Sequence, residues 1–275
     1  MKRDIKTTKR ATKVEELTRL NKFISHNSNY SRREADTLIA EGKVRVNNKI
    51  VTDMATKVSN SDKVEIGKKI IKEDKERMYT VIVYNKPKGE IVSKSDPQAR
   101  KTIYDGLESR YKHFMSVGRL DFASEGLLLL SDSVEVVNSL MHSNLERVYK
   151  IKVNGFISPK VEQAMQQGIE IEDATKGAFK GTKIKSMSFS PFLAYDIQTN
   201  GEKTSKIKVV INEGKNRELR RFFAHFGLNV MDLKRVEYGG ISLNNLPTGK
   251  SRFLTKEEYK NLRIFLNEEN DRLIK

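Results

Sequence analysis

The chain has 275 residues, 37% of them hydrophobic, and a formal net charge of +16. That length accommodates about two domains, and the positive excess bears on partners rather than fold, with polyanions first. The absence of cysteine excludes a disulfide framework, Cys-ligated zinc, an iron–sulfur cluster and a thiol nucleophile, and the aliphatic run Leu127 to Leu130 falls far short of the ~20 residues of a membrane helix.

MKRDIKTTKR carries charges with no apolar stretch behind them, so it does not read as a secretory signal. The expected setting is a soluble protein of the cytoplasm. Residues 1–16 read as a basic tail: Lys2, Arg3, Lys6, Lys9, Arg10 and Lys13 stand against Asp4. Such a tail either lies along a phosphate backbone or simply keeps the chain in solution.

From residue 17 to 70 the pattern predicts a small helix–helix–hairpin unit. Leu20, Phe23 and Ile24 mark one face of a first helix. Ser31 and Glu34 form the S-x-x-E signature that opens a second helix, which stops at Gly42 and buries Ala35, Leu38 and Ile39. KVRVNNKIV then reads as a hairpin with Asn47-Asn48 in the turn, and Val64 and Ile66 as a closing strand. Arg32 and Arg33 fall in the first turn of the second helix, where the macrodipole disfavours cations. Backbone N–H groups and two arginines there suit a phosphate, and Lys22, Lys43 and Arg45 belong to the same unit. The bland alternative is a solvated helix end.

The charged stretch 71–78 reads as a linker, and a second domain spans 79–275. It opens with the strand YTVIVY, then mixes short strands and helices with no βαβ rhythm, so the class is α+β. No G-x-G-x-x-G follows a strand and no G-x-x-x-x-G-K-[ST] loop occurs. The four histidines show no metal-binding spacing, so neither metal nor small-molecule cofactor is expected.

Three segments of this domain could carry chemistry. GRLDFASEGLLLLSD (118–132) places Arg119, Asp121, Ser124 and Glu125 on a loop between an apolar strand end and the buried strand Leu127–Leu130. A rigid scaffold would present Asp121 there, although such an Asp also caps turns through its own backbone. RVYKIKV (147–153) alternates so that Tyr149, Ile151 and Val153 share a face. Tyr149 reads either as a core aromatic or as a ring offered to a nucleobase. In KIKVVINEGKNRELRRFFAHFG (206–227), Leu219, Phe222, Phe223 and Phe226 form the buried stripe of a helix. Arg217 and Arg221 then project toward solvent or RNA. Arg220 falls on the border, from which it can reach a semi-buried carboxylate.

Together these segments resemble a known family, the S4-domain-containing RsuA/RluB/RluF rRNA pseudouridine synthases. SRREADTLIAEGKVRVN is similar to an S4 RNA-binding domain. GRLDFASEGLLLLSD, RVYKIKV, EGKNRELRRFFAHFG and RVEYGGISLNNLPTGKSRFLT resemble, in order, the motifs of the synthase domain. NKPKGEIVSKSDPQARKTIYD and IEIEDATKGAFK look most like the RluB branch, which modifies large-subunit (23S) rRNA. The resemblance implies an S4 domain followed by a catalytic domain on a mainly antiparallel mixed sheet flanked by helices. It implies isomerisation of a uridine without metal or cofactor, by a monomer acting on large-subunit rRNA or a ribosomal precursor particle. It makes Asp121 the catalytic carboxylate, Tyr149 the residue that stacks on the target base, and Arg220 the cation that favours ionised Asp121. Arg119, Arg217 and Arg221 join Lys22, Arg32, Arg33, Lys43 and Arg45 as RNA contacts. Whether Asp121 attacks C1′ or removes the 2′ proton stays open. Ser124 stands where the family usually has Thr and Arg147 where it usually has Lys; hydroxyl and charge are kept. A non-catalytic S4-type ribosome-assembly factor is the alternative, since composition alone asks only for charge. An S4-linked methyltransferase fails on the missing glycine-rich loop.

Overall fold

A computed structural model describes residues 17–28, 30–59, 61–71, 79–179 and 181–274. The tail expected over 1–16, and the linker beyond its first residue, lie outside the described residues. The chain divides into two compact units, the second beginning at Tyr79.

In the first unit, the helices Leu20–Asn27 and Arg32–Ala40 form where the periodicity places them. Ser31 Oγ accepts from the Glu34 N–H while Glu34 Oε2 accepts from the Ser31 N–H, a reciprocal cap. Asn47 and Asn48 take φ of 50° and 68°, the left-handed conformations a two-residue hairpin turn needs. They join Val44–Val46 to Lys49–Val51. These strands pair in an antiparallel four-stranded sheet that continues through Val64–Ile66 to Lys69–Ile71. Residue 71, expected to begin the linker, instead ends this last strand, with Ile71 opposite Val64 and buried. Its apolar side chain closes a core of Leu20, Phe23, Ile24, Ala35, Ile39, Val44 and Val64.

The second unit is built on a nine-stranded mixed sheet. Its spine runs Ala194–Asn200, Thr204–Ile211, Arg147–Asn154, Val230–Tyr238, Glu125–Ser131, Val81–Lys86, Ser251–Phe253. Neighbours on this path are antiparallel except Val230–Tyr238 against Glu125–Ser131. At that parallel seam Gly126 is required: φ is +103°, and a Cβ there would stand 2.2 Å from the Arg235 carbonyl oxygen. The unbroken leucine run has its reason in packing on both faces of the sheet. Leu128 and Leu130 join Ile82, Tyr84, Tyr149, Ile151, Phe222 and Phe223 on one side. Leu127 and Leu129 join Val81, Val83, Val136 and Leu140 on the other, with Leu262 and Leu266 of the helix Lys256–Ile274. Each such leucine contributes about 1.5–3 kcal/mol by leaving water.

Candidate active site

Asp121 lies on the turn between two paired strands, Met115–Ser116 and Glu125–Ser131. Four consecutive carbonyls of that turn are each held by a donor. Lys86 Nζ donates to Asp121 O (3.2 Å) and Ser124 O (2.9 Å). The Gly89 N–H donates to Phe122 O (2.8 Å), and Arg220 Nη2 to Ala123 O (3.1 Å). Lys86 is wholly buried, and burial draws its pKa down to about 8, so it still carries its proton at neutral pH. The clamp fixes the Asp121 backbone and leaves the carboxylate to its own partners.

Those partners are two arginines on one oxygen. Arg217 Nη1 stands 3.3 Å and Arg220 Nε 3.5 Å from Asp121 Oδ2. Arg220 is buried, donates also to Val230 O (3.0 Å) and Ser124 Oγ (3.0 Å), and so keeps a fixed position beside the carboxylate. Ser124, one of the two departures noted above, thus puts its hydroxyl to use as an acceptor.

The expectation that Arg221 faces solvent or RNA is corrected, whereas Arg217 is partly exposed and lines the cavity on which Asp121 opens. The helix begins at Glu218, one residue after Arg217, which precedes it in the left-handed conformation at φ 51°. From there Arg217 Nε reaches Gly177 O (2.7 Å) and its Nη1 turns to Asp121. Arg221 is 1% exposed. It donates to Ala174 O (2.5 Å), Ile184 O (3.2 Å), Thr182 Oγ1 (3.0 Å) and Asn216 Oδ1 (3.1 Å), pinning the 174–184 segment to the helix. Residues 218 to 224 are all buried, and Gly177 lies so close to this helix that a Cβ on it would stand 2.3 Å from the Arg220 carbonyl oxygen. A helical wheel drawn for one packed face does not anticipate a second.

Asp121 opens on a cavity of about 200 Å³ lined also by Arg119, Tyr149, Arg147, Glu218, Arg235 and Tyr238. Arg119 is exposed at this site. Tyr149 is 7% exposed and packs in the core cluster of this face while lining the cavity. The Glu218 carboxyl is pushed up to about 7, first by burial and then by neighbouring Glu213. It accepts from the Lys215 N–H (3.0 Å) as the helix begins.

In the first unit Lys22, Arg32, Arg33, Lys43 and Arg45 are all exposed. The pKa of His26 falls to about 4, through burial first and then the fields of Lys22 and Arg32. Lys43 is paired with Glu41 at 2.7 Å, an exposed contact of small energetic weight.

Residues 80–225 match the RNA pseudouridylate synthase family, and residues 18–64 match the S4 domain family. The chain belongs to the RNA pseudouridylate synthases. An RNA pseudouridine synthase of Helicobacter pylori strain J99 is 54% identical over 248 residues, spanning 90% of this chain and 94% of that protein. Ribosomal large subunit pseudouridine synthase B of Bacillus subtilis is 36% identical over 249 residues, 90% of this chain and 96% of that one. A crystal structure of a pseudouridylate synthase superposes with a TM-score of 0.59 at 25% identity, covering 89% of this chain and 99% of that one. This synthase therefore combines an S4 domain with a mixed-sheet pseudouridine synthase domain, as the sequence motifs imply. Three residues of its site escaped sequence reasoning: Lys86, Arg235 and Glu218. The Val81–Lys86 strand is buried throughout, so a lysine two residues past the apolar run Val81–Tyr84 was the available signal for Lys86. Arg235 and Glu218 read locally as ordinary surface charges.

Proposed function

We propose that this pseudouridine synthase isomerises a specific uridine of large-subunit (23S) rRNA, with Asp121 as its catalytic carboxylate. The observation that carries the reading is the placement of Asp121. Its carboxylate lines the cavity, two arginines stand on one of its oxygens, and its backbone is clamped by Lys86. The name of the Bacillus subtilis relative supports the choice of large-subunit RNA.

In this reading the target nucleotide leaves its stack, at a cost of a few kcal/mol, and its base enters the cavity. Tyr149 stacks on it. Asp121 acts at the ribose, either as nucleophile at C1′ or as base at the 2′ proton. The C1′–N1 bond breaks, the uracil turns, C5 bonds to C1′, and the C5 proton leaves with help from Tyr149. Arg220 and Arg217 hold the Asp121 carboxylate in place in the cavity. Arg119 and the exposed cations Lys22, Arg32, Arg33, Lys43 and Arg45 hold the phosphate backbone. The protein works in the cytoplasm as a monomer, on rRNA or on a precursor particle. A non-catalytic assembly factor needs no aspartate tied to two arginines in a cavity.

The test is hydrogen release from C5-tritiated uridine in large-subunit rRNA, with the parent protein and Asp121→Asn. The parent is expected to release tritium and the variant none, with RNA binding intact in both. Turnover by Asp121→Asn would remove Asp121 from the chemistry. Release from small-subunit rRNA alone would move the target.

A further inference from the structure

Arg147 and Arg235 are 6% and 4% exposed and line the same cavity as Asp121 and Tyr149. On two neighbouring antiparallel strands Arg147 lies opposite Tyr238, and Arg235 opposite Tyr149. Both guanidinium carbons approach the Tyr238 ring, at 4.9 and 5.2 Å from its centroid. Their hydrogen bonds go to neutral acceptors. Arg147 donates to Asn212 O (2.6 Å), Tyr238 Oη (3.1 Å) and Ser143 O (3.4 Å), and Arg235 Nε donates to Leu127 O (2.8 Å). Among the described residues neither has an ion pair with a carboxylate. The buried Nη2 of Arg235 has no hydrogen-bond partner. Two buried cations without a counter-anion are costly, which asks what negative charge they meet.

Gly214 adds a second observation. It lines the cavity, and a Cβ there would stand 3.7 Å from both Nε and Cζ of Arg147. Its φ is not positive, so the backbone does not demand glycine here. What the missing side chain provides is open space over the Arg147 guanidinium.

We infer that Arg147 and Arg235 stabilise the uracil as it leaves C1′, which rests on the reading of Asp121 and the target uridine above. When C1′–N1 breaks, the bonding pair departs with the base, whose negative charge spreads over N1, O2 and O4. C1′ meanwhile gains either a bond to the Asp121 carboxylate or a double bond to C2′ as the 2′ proton passes to Asp121. Either route makes the same uracil anion; C5 then gives a pair to C1′ as the Asp121–C1′ bond breaks or as Asp121 hands its proton back to C2′, after which the C5 proton leaves and N1 takes up a proton. A base stacked on Tyr149 would have its edge beside Arg235, the cross-strand neighbour of Tyr149. Tyr238 and the carbonyls hold both guanidiniums in place beforehand, so little reorganisation is needed when the charge appears.

The test compares RNA carrying uridine at the target with RNA carrying 5-fluorouridine, whose fluorine makes the base a better leaving group. Arg235→Met and Arg147→Gln are measured under single turnover at saturating RNA, following consumption of the target nucleoside after digestion. On uridine the rate is expected to fall about 10²–10³-fold, the scale of a lost charge-stabilising donor. On 5-fluorouridine the loss should shrink by at least about tenfold from that value, with RNA affinity unchanged in both cases. Equal losses on the two RNAs, or a loss confined to affinity, would overturn the inference. Should Arg235→Met fail to fold, Arg147→Gln and Arg235→Lys carry the comparison, the lysine restoring most of the rate on uridine because it restores the charge. A parent protein inactive on every rRNA would sink both readings, whereas an active parent with equal variant losses sinks this one alone.

Discussion

Burial and the charge of Glu213 hold the Glu218 carboxyl up to about 7, although the Lys215 N–H and its ammonium pull the other way. From the ordinary carboxylate range up to that value, the folded chain keeps a proton that the unfolded chain has released. Stability contributed by Glu218 is therefore full below the ordinary range and is lost as pH rises through 7. Glu218→Gln, which removes the titration and keeps an acceptor for Lys215, should flatten this dependence. Thermal denaturation at intervals from about pH 5 to about pH 8 checks it: the parent melting temperature should fall relative to the variant as pH rises, and parallel curves would exclude Glu218 as the cause. The residue scale is also where local reading erred most. Arg217, Arg220 and Arg221 are near neighbours of the same type, yet they go to a carboxylate and a loop carbonyl, a carboxylate and a hydroxyl, and the carbonyls of Ala174 and Ile184 respectively. Only the elements packed around them separate these fates.

At the scale of elements, the Asp121 turn is held from outside itself. Lys86 ends one strand and reaches across to Asp121 O, Ser124 O and its own neighbour Pro87 O (2.9 Å). Lys86→Met keeps much of the side-chain volume and leaves three acceptors without their donor, at about 1–3 kcal/mol for each that stays dry. The variant should melt at lower temperature and, at a temperature where it is folded, lose rate under single turnover with unchanged RNA affinity. Full activity would show that the turn keeps its shape without the clamp. The turn, both flanking strands and the helix after Gly214 were legible because hydrophobic alternation, capping residues and glycines are local signals. The clamp was not, since Lys86 and Ser124 are 38 residues apart in the chain.

Over the whole molecule, the positive excess divides into charges that serve the fold and charges that remain at the surface. Arg147, Arg220, Arg221 and Arg235 are buried. Lys22, Arg32, Arg33, Lys43 and Arg45 are exposed on the S4 unit. If the S4 unit holds phosphates, replacing Arg32 and Arg33 together by alanine should weaken RNA binding. It should also reduce the slope of log affinity against log salt by about 1.4–1.8, two counterions' worth. Titrations across several salt concentrations measure this, and an unchanged slope would take the Arg32 helix out of the RNA interface. The count of +16 therefore overstates the charge available to RNA, because composition does not distinguish a solvated guanidinium from one that donates to buried carbonyls.

By itself the sequence determined the two-part organisation, the S4 helices and hairpin, the mixed-sheet class, and the turn that carries Asp121. Those features rest on interactions between residues close in the chain, where period, caps and turn chemistry act directly. The tertiary structure alone decided which arginines reach Asp121, that Arg221 pins a loop, that Lys86 clamps the turn, and that Arg147 and Arg235 face a shared cavity with no carboxylate ion-paired to either among the described residues. Each depends on contacts between distant segments in a dry interior. There a long cationic side chain goes wherever acceptors and space are found, and its own neighbours in the sequence do not specify them.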